Sequence, residues 1–304
     1  MSLLARPAVA ALAAKAIQRL TSLAGARIAA TARGTFPEFP RDTLELTVPT
    51  SIAPARVVVY RPPGVDPSPP VHVNFHGGGY VMADPEVDDP LCRHLAATAG
   101  VVVANVDYVV APQHRFPAPP RQAYEVVRWI SGHGTEHGWD GARLTVGGQS
   151  AGGGLAAAVA RLALEEHGPA IALQVLHYPP LDLSVAAAGK KALSAKPMLR
   201  PWMADIFDSA YVPDPRERAD RLASPAGAAD TADFTGIAPA LVITAELDLL
   251  RAEGIRYAER LRQAGALIEH HDVTGADHGY DVKDTAKARE VYTLIARHIR
   301  EATS

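Results

Sequence analysis

Short apolar, β-branched runs alternate along this chain with longer stretches whose apolar residues recur at helical spacing. Leu44–Val48 and Val57–Tyr60 read as a pair of strands. Val71–Phe75, Val101–Val106, Leu144–Val146, Ile171–His177 and Ala240–Thr244 read as short buried strands, and Ala266–Val273 as a last, more polar one. Helical patterns occupy Asp88–Ala99, Pro120–Ser131, Ala151–His167, Ala252–Ala264 and Val282–Glu301. Strand–helix alternation of this kind predicts an α/β fold, with a mostly parallel eight-stranded sheet covered on both faces.

Two stretches depart from the alternation. Leu183–Pro239 carries no strand pattern and far exceeds the few residues that usually link a strand to a helix. Trp202, Phe207 and Tyr211 lie in it at near-helical spacing, so a helical insertion covering the sheet's C-terminal edge is expected. In Met1–Ala32, Lys15, Gln18 and Arg19 interrupt the apolar run that a signal peptide needs. Leu12, Ile17, Leu20 and Leu23 fall near helical spacing. They predict an amphipathic helix packed on the protein and joined to the insertion.

Composition narrows the classes. The 304 residues are 48% hydrophobic, enough for one large core, and the net charge is −3 with no long run of one sign. Nucleic acid and anionic membranes are therefore unexpected partners. Cys92 is the single cysteine, which excludes an intrachain disulfide and a cysteine-based metal site; it reads as a small core residue of a helix. Neither Asn74 nor Asn105 sits in a glycosylation sequon, no run is long enough to span a membrane, and a cytoplasmic location is the expectation.

The chemistry concentrates in Gly148-Gln149-Ser150-Ala151-Gly152, between the β-branched Leu144–Val146 and an Ala/Leu-rich helix. Strand, sharp turn and helix make the context of a nucleophile elbow. A serine hydroxyl is a poor nucleophile until a base takes its proton, and the base needs a carboxylate to fix its tautomer. Asp248 follows the strand Ala240–Thr244, and His278 lies in the turn Gly275-Ala-Asp-His-Gly-Tyr280 after the last strand. The order Ser150, Asp248, His278 is that of an α/β-hydrolase. Glu246 and Glu253 are the competing carboxylates, and His270 and His271 lie inside a strand pattern. His133 and His137, in Gly132-His-Gly-Thr-Glu-His-Gly138, read as loop histidines because the glycines oppose a helix. Phe75-His-Gly-Gly-Gly-Tyr80 follows a strand and presents consecutive backbone N–H groups. This is where a second oxyanion element is expected, with the Ala151 N–H completing it.

His76-Gly-Gly-Gly79, Gly148-Gln-Ser-Ala-Gly-Gly153, the Asp248 loop and His278 together resemble the bacterial hormone-sensitive-lipase-like carboxylesterases, also called family IV. Asp107-Tyr-Val-Val-Ala-Pro-Gln-His-Arg-Phe-Pro-Ala118 is similar to a further block of that family. The resemblance implies an α/β-hydrolase core at 41–182 and 240–304, with a helical cap from 1–40 and 183–239. It implies cofactor-free, metal-free hydrolysis of small carboxylic esters, of short to medium acyl chain, through an acyl-enzyme. Ser150 would be the nucleophile, His278 the base and then the acid, and Asp248 its orienter. Gly77, Gly78, Gly79 and Ala151 would form the oxyanion hole, and His76 would be structural. A homodimer is implied only at this family level. Tyr80, Tyr108, Trp202, Phe207 and Tyr211 are the expected pocket residues.

The chain departs from the family pattern at Gln149, commonly Asp, and at Gln113, commonly Glu. An amide pair replacing a charged network is one expectation for them. Three other readings remain: an amide or carbamate hydrolase of the same fold, a non-catalytic ligand-binding member, and a dinucleotide site at Gly152-x-Gly154-x-x-Ala157. The last lacks the acidic residue such a site needs at the end of the next strand.

Overall fold

The computed structural model describes residues 3–64 and 66–304. Eight strands form one sheet: β1 (Thr43–Val48), β2 (Ala55–Tyr60), β3 (Pro70–Phe75), β4 (Val102–Asp107), β5 (Asp140–Gln149), β6 (Leu173–His177), β7 (Ala240–Ala245) and β8 (Leu267–Val273). Their order is β1-β2-β4-β3-β5-β6-β7-β8. β1 and β2 are antiparallel, as are β2 and β4; every later pairing is parallel.

Eight α-helices accompany the sheet among the described residues: α1 (Pro7–Gly34), α2 (Asp89–Ala99), α3 (Ala118–Gly132), α4 (Gly134–His137), α5 (Ala151–Glu165), α6 (Pro201–Tyr211), α7 (Arg251–Gln263) and α8 (Thr285–Ala302). α3, α5 and α7 cover one face, and α2 and α8 the other. The central strands are buried on both sides, which is why they read as unbroken apolar runs. In β4, Val102, Ala104 and Val106 join one core while Val103 joins the other. In β7, Ala240 and Val242 face one way and Leu241, Ile243 and Ala245 the other.

Three local expectations change. His133 and His137 flank and end a single helical turn, α4, rather than a loop; the turn stops at Gly138, whose φ is +82°. His133 stacks on Trp129 and His137 on Trp139, so both imidazoles serve as flat packing surfaces. The 183–239 interval is less helical than expected. α6 and two short 3-10 turns, Ala187–Gly189 and Glu217–Ala219, are its helical parts, and the remainder is irregular.

α1 forms as expected from its first described residues onward (residues 1 and 2 lie outside those described), but it packs through the other face. Leu12, Leu20 and Leu23 are exposed. Ala10 and Ala14 are fully buried, and Gln18, one turn further along, donates to the carbonyls of Val81 and Ala111 at 2.8 and 3.0 Å. Small residues four apart let α1 lie close to the loop it crosses and to α6. Among the described residues no helix is long and apolar enough to cross a membrane.

Candidate active site

The elbow is a geometric consequence of its glycines. Ser150 adopts φ +51°, ψ −121°, a region a residue with a Cβ enters only under strain. The strand and helix it joins must nearly touch there. A Cβ on Gly148 would lie 2.3 Å from the Phe75 carbonyl oxygen, and one on Gly152 only 1.7 Å from the same atom. Gly154 has the same reason to be glycine, since a Cβ would sit 2.2 Å from the Tyr80 hydroxyl. Gly152 and Gly154 are therefore packing residues of α5, which removes the support for a dinucleotide fingerprint.

The turn places the Ser150 Oγ 2.9 Å from His278 Nε2, and His278 Nδ1 lies 2.8 Å from Asp248 Oδ2. A carboxylate only accepts, so Nδ1 carries the proton and Nε2 presents its lone pair to the serine. Asp248 is 1% exposed, and its other oxygen accepts the Leu250 N–H at 3.1 Å. Burial by itself lowers the His278 pKa. The charge and hydrogen bond of Asp248, with smaller contributions from Asp281 and Asp277, outweigh it and leave a net rise above 6.5. The competing groups lie elsewhere. Glu246 accepts the Gly275 N–H at 2.6 Å, Glu253 pairs with Lys190 at 2.7 Å, and His270 bonds Thr244.

Beside the elbow, Gly78 and Gly79 have positive φ, +128° and +59°, and their N–H groups have no hydrogen-bond acceptor among the described residues. Ala151 is the first residue of α5, so its N–H has no carbonyl one turn earlier to bond. Gly78 and Gly79 line the same cavity as Ser150 and His278. Gly77 lines the same cavity, and a Cβ on it would lie 3.4 Å from the Gln149 carbonyl oxygen. The nearby Asp88 accepts from Asn74 Nδ2 at 2.9 Å, and burial pushes its pKa up to about 7. His76 is buried, stacks on Tyr108 at 4.3 Å, and is held off the triad.

A cavity of about 290 Å³ opens over Ser150 and His278. Of the expected pocket residues, Tyr80 and Phe207 line it. Tyr108, Tyr211 and Trp202 are corrections. Tyr108 is buried behind the Gly77–Gly79 loop and donates to the His76 carbonyl at 2.9 Å. Tyr211 stacks on Tyr80 at 4.0 Å. Trp202 is 47% exposed, because α6 turns Met203, Ala204, Phe207 and Asp208 to the cavity and position 202 away from it. Thr21 and Ile28 of α1 complete that wall.

Gln149 and Gln113 do not pair with each other. Gln113 exchanges two amide hydrogen bonds with Gln18, at 2.9 and 3.1 Å, and ties α1 to the loop before α3. Gln149 donates to the buried Asp281, which also accepts the Tyr178 hydroxyl at 2.7 Å and the Tyr292 hydroxyl at 2.8 Å. Three neutral donors thus satisfy one carboxylate next to the elbow. The Gln149→Glu variant keeps the shape but sets a second carboxylate against Asp281, and two such groups cannot both ionise there at low cost. The raised carboxyl pKa makes stability fall as pH rises through the interval above its unfolded value. Differential scanning should show a Tm lowered by roughly 5–10 °C at pH 8 and most of that loss recovered at pH 5. An equal Tm deficit at both pH values would count against the assigned hydrogen bonds.

The fold is that of an α/β hydrolase, and this geometry sits where the strands of such a sheet end. A model of the α/β hydrolase fold family matches residues 72–282. The chain belongs to the hormone-sensitive-lipase-like, family IV branch of that fold. It is 37% identical over 227 residues to carboxylesterase NlhH of Mycobacterium tuberculosis, covering 74% of this chain and 70% of the relative. It is 35% identical over 227 residues to the ethyl acetate hydrolase of Pseudomonas putida, with the same coverage. Among solved structures it is similar to a hyperthermophilic esterase of the archaeon Pyrobaculum calidifontis, with a TM-score of 0.85 and 31% identity over 96% of this chain and 92% of that one.

Sequence reasoning missed Asp281, Tyr178, Tyr292, Lys190 and Asp208. They come from separate loops and helices, and no fixed spacing links them to the elbow.

Proposed function

We propose that the protein hydrolyses small carboxylic esters through an acyl-enzyme on Ser150. The observation that carries this reading is the continuous chain from Ser150 Oγ through His278 to Asp248, next to backbone N–H groups without partners among the described residues. His278 takes the serine proton as Oγ attacks the ester carbonyl. The Gly78, Gly79 and Ala151 N–H groups stabilise the oxyanion, each contributing about 10²–10³ in rate. His278 then returns the proton to the departing alcohol, and water repeats the sequence on the acyl-enzyme. Residues 1–40 and 183–239 act as a cap over the core, a division supported by the packing of α1 against α6 above the cavity. A cavity of this size favours short to medium acyl chains.

The test is kcat/KM on p-nitrophenyl esters from acetate to palmitate across pH. Short and medium chains should be hydrolysed best. The acid limb should report His278, which must be neutral to act as base. Because its pKa is raised, the half-maximal point should fall above 6.5, with activity lost as pH drops through it. A profile flat from pH 5 to 8 would contradict His278 as the base.

A further inference from the structure

The cavity wall supplied by the 183–239 interval ends in charge. Asp208, on the cavity side of α6, is 8% exposed, and its carboxylate makes no hydrogen bond or ion pair with any described residue. Of the other carboxylates of the wall, Asp88 accepts from Asn74 through Oδ2 while its Oδ1 is buried without a partner among the described residues, and Asp84 is only half-buried. Lys190 borders the same cavity, but its ammonium is paired with Glu253 at 2.7 Å, and Glu253 also accepts the Leu181 N–H. Arg218 donates to the Val212 carbonyl and the Ser209 hydroxyl. The charges that Asp208 feels are Lys190, Arg218 and Asp205. Burial pushes its pKa up to about 6, so it is mainly ionised at neutral pH.

A buried carboxylate without a donor is costly, and protein interiors rarely keep one idle. With Glu253 paired to Lys190, the Asp208 carboxylate is left without a hydrogen-bond donor from any described residue. We propose that Asp208 is a substrate subsite, accepting a hydrogen bond from a hydroxyl or ammonium group on the non-reacting end of the ester. The inference rests on ester hydrolysis at Ser150 and adds to it the substrate's polarity. A site with a buried polar group rejects an analogue that leaves the group unpaired. The flanking Phe207 and Met203 would hold the intervening carbons.

The experiment compares p-nitrophenyl esters that differ only at the chain end, in methyl, hydroxyl or ammonium, over lengths from butanoyl to octanoyl. Acetates of the matching alcohols probe the other side of the ester. At the length that reaches Asp208, kcat/KM should favour the donor-ended ester over its methyl isostere by about tenfold or more. Asp208→Leu should reverse that order. Asp208→Asn, which keeps an acceptor but not the charge, should retain part of the hydroxyl preference and lose the ammonium preference. Gain with ammonium alone identifies a cationic substrate; equal gain with both identifies a neutral donor. A donor-to-methyl ratio unchanged by Asp208→Leu at every length and on both sides of the ester overturns the subsite alone. Failure of the unsubstituted protein to hydrolyse even the methyl-ended esters rejects the ester reading and the subsite with it.

Discussion

The Ser150→Ala variant should lose about 10⁴–10⁶ in kcat on p-nitrophenyl butyrate while folding as the parent does. The hydroxyl is the atom that forms the acyl bond, and no neighbouring side chain can take its place. Alanine keeps the Cβ, so the strained backbone at φ +51° is neither relieved nor worsened. The hydrogen bond lost with the hydroxyl is the one to His278, which is worth about 1 kcal/mol. Unfolding should therefore shift by no more than a few degrees. Steady-state kinetics beside a thermal melt separates the two effects. Substantial activity in a folded variant would remove Ser150 from the chemistry.

Asp248→Asn should cost about 10⁴ in kcat. The present carboxylate accepts from Nδ1–H at 2.8 Å and so keeps Nε2 free. An amide in the same place can turn its NH₂ toward Nδ1, which moves the imidazole proton to Nε2 and points it at the serine. The variant also removes the main influence that raises the His278 pKa, while burial, which lowers it, stays. The remaining activity should then show its acid limb at lower pH than the parent. A rate loss without that displacement would mean that Asp248 orients the loop rather than the imidazole.

The legible part of the site was the part written in local geometry. Gly148, Ser150 and Gly152 encode a strand–turn–helix contact that only glycines permit, so the motif and the observed approach to the Phe75 carbonyl are one fact. Asp248 and His278 lie in the loops after β7 and β8, which separates them from Glu253 inside a helix and from His270 and His271 inside a strand. Parallel strands buried on both faces read as apolar runs, which is why the sheet was predictable while strand ends, such as the early start of β5, were not.

What was missed depends on contacts between distant segments. The hydrophobic pattern of α1 pointed to its leucines, yet alanines and Gln18 make the contact, because close approach selects size rather than apolarity. Trp202 was expected in the pocket on its aromatic character, and only the rotation of α6 shows that it faces outward. Gln149 looked like a weakened acidic position. Its meaning depends on Asp281, 132 residues away in the chain, whose charge it satisfies with the hydroxyls of Tyr178 and Tyr292.

The central claim is that one serine carries the acyl group. Intact-mass and peptide mass spectrometry after treatment with a p-nitrophenyl alkylphosphonate tests it directly, since the phosphonyl group is attacked as the ester carbonyl would be and the adduct does not turn over. The account predicts one phosphonyl group per chain, located on Ser150, with loss of esterase activity in step with labelling. Labelling of another residue, or complete inactivation without an adduct at Ser150, would contradict it.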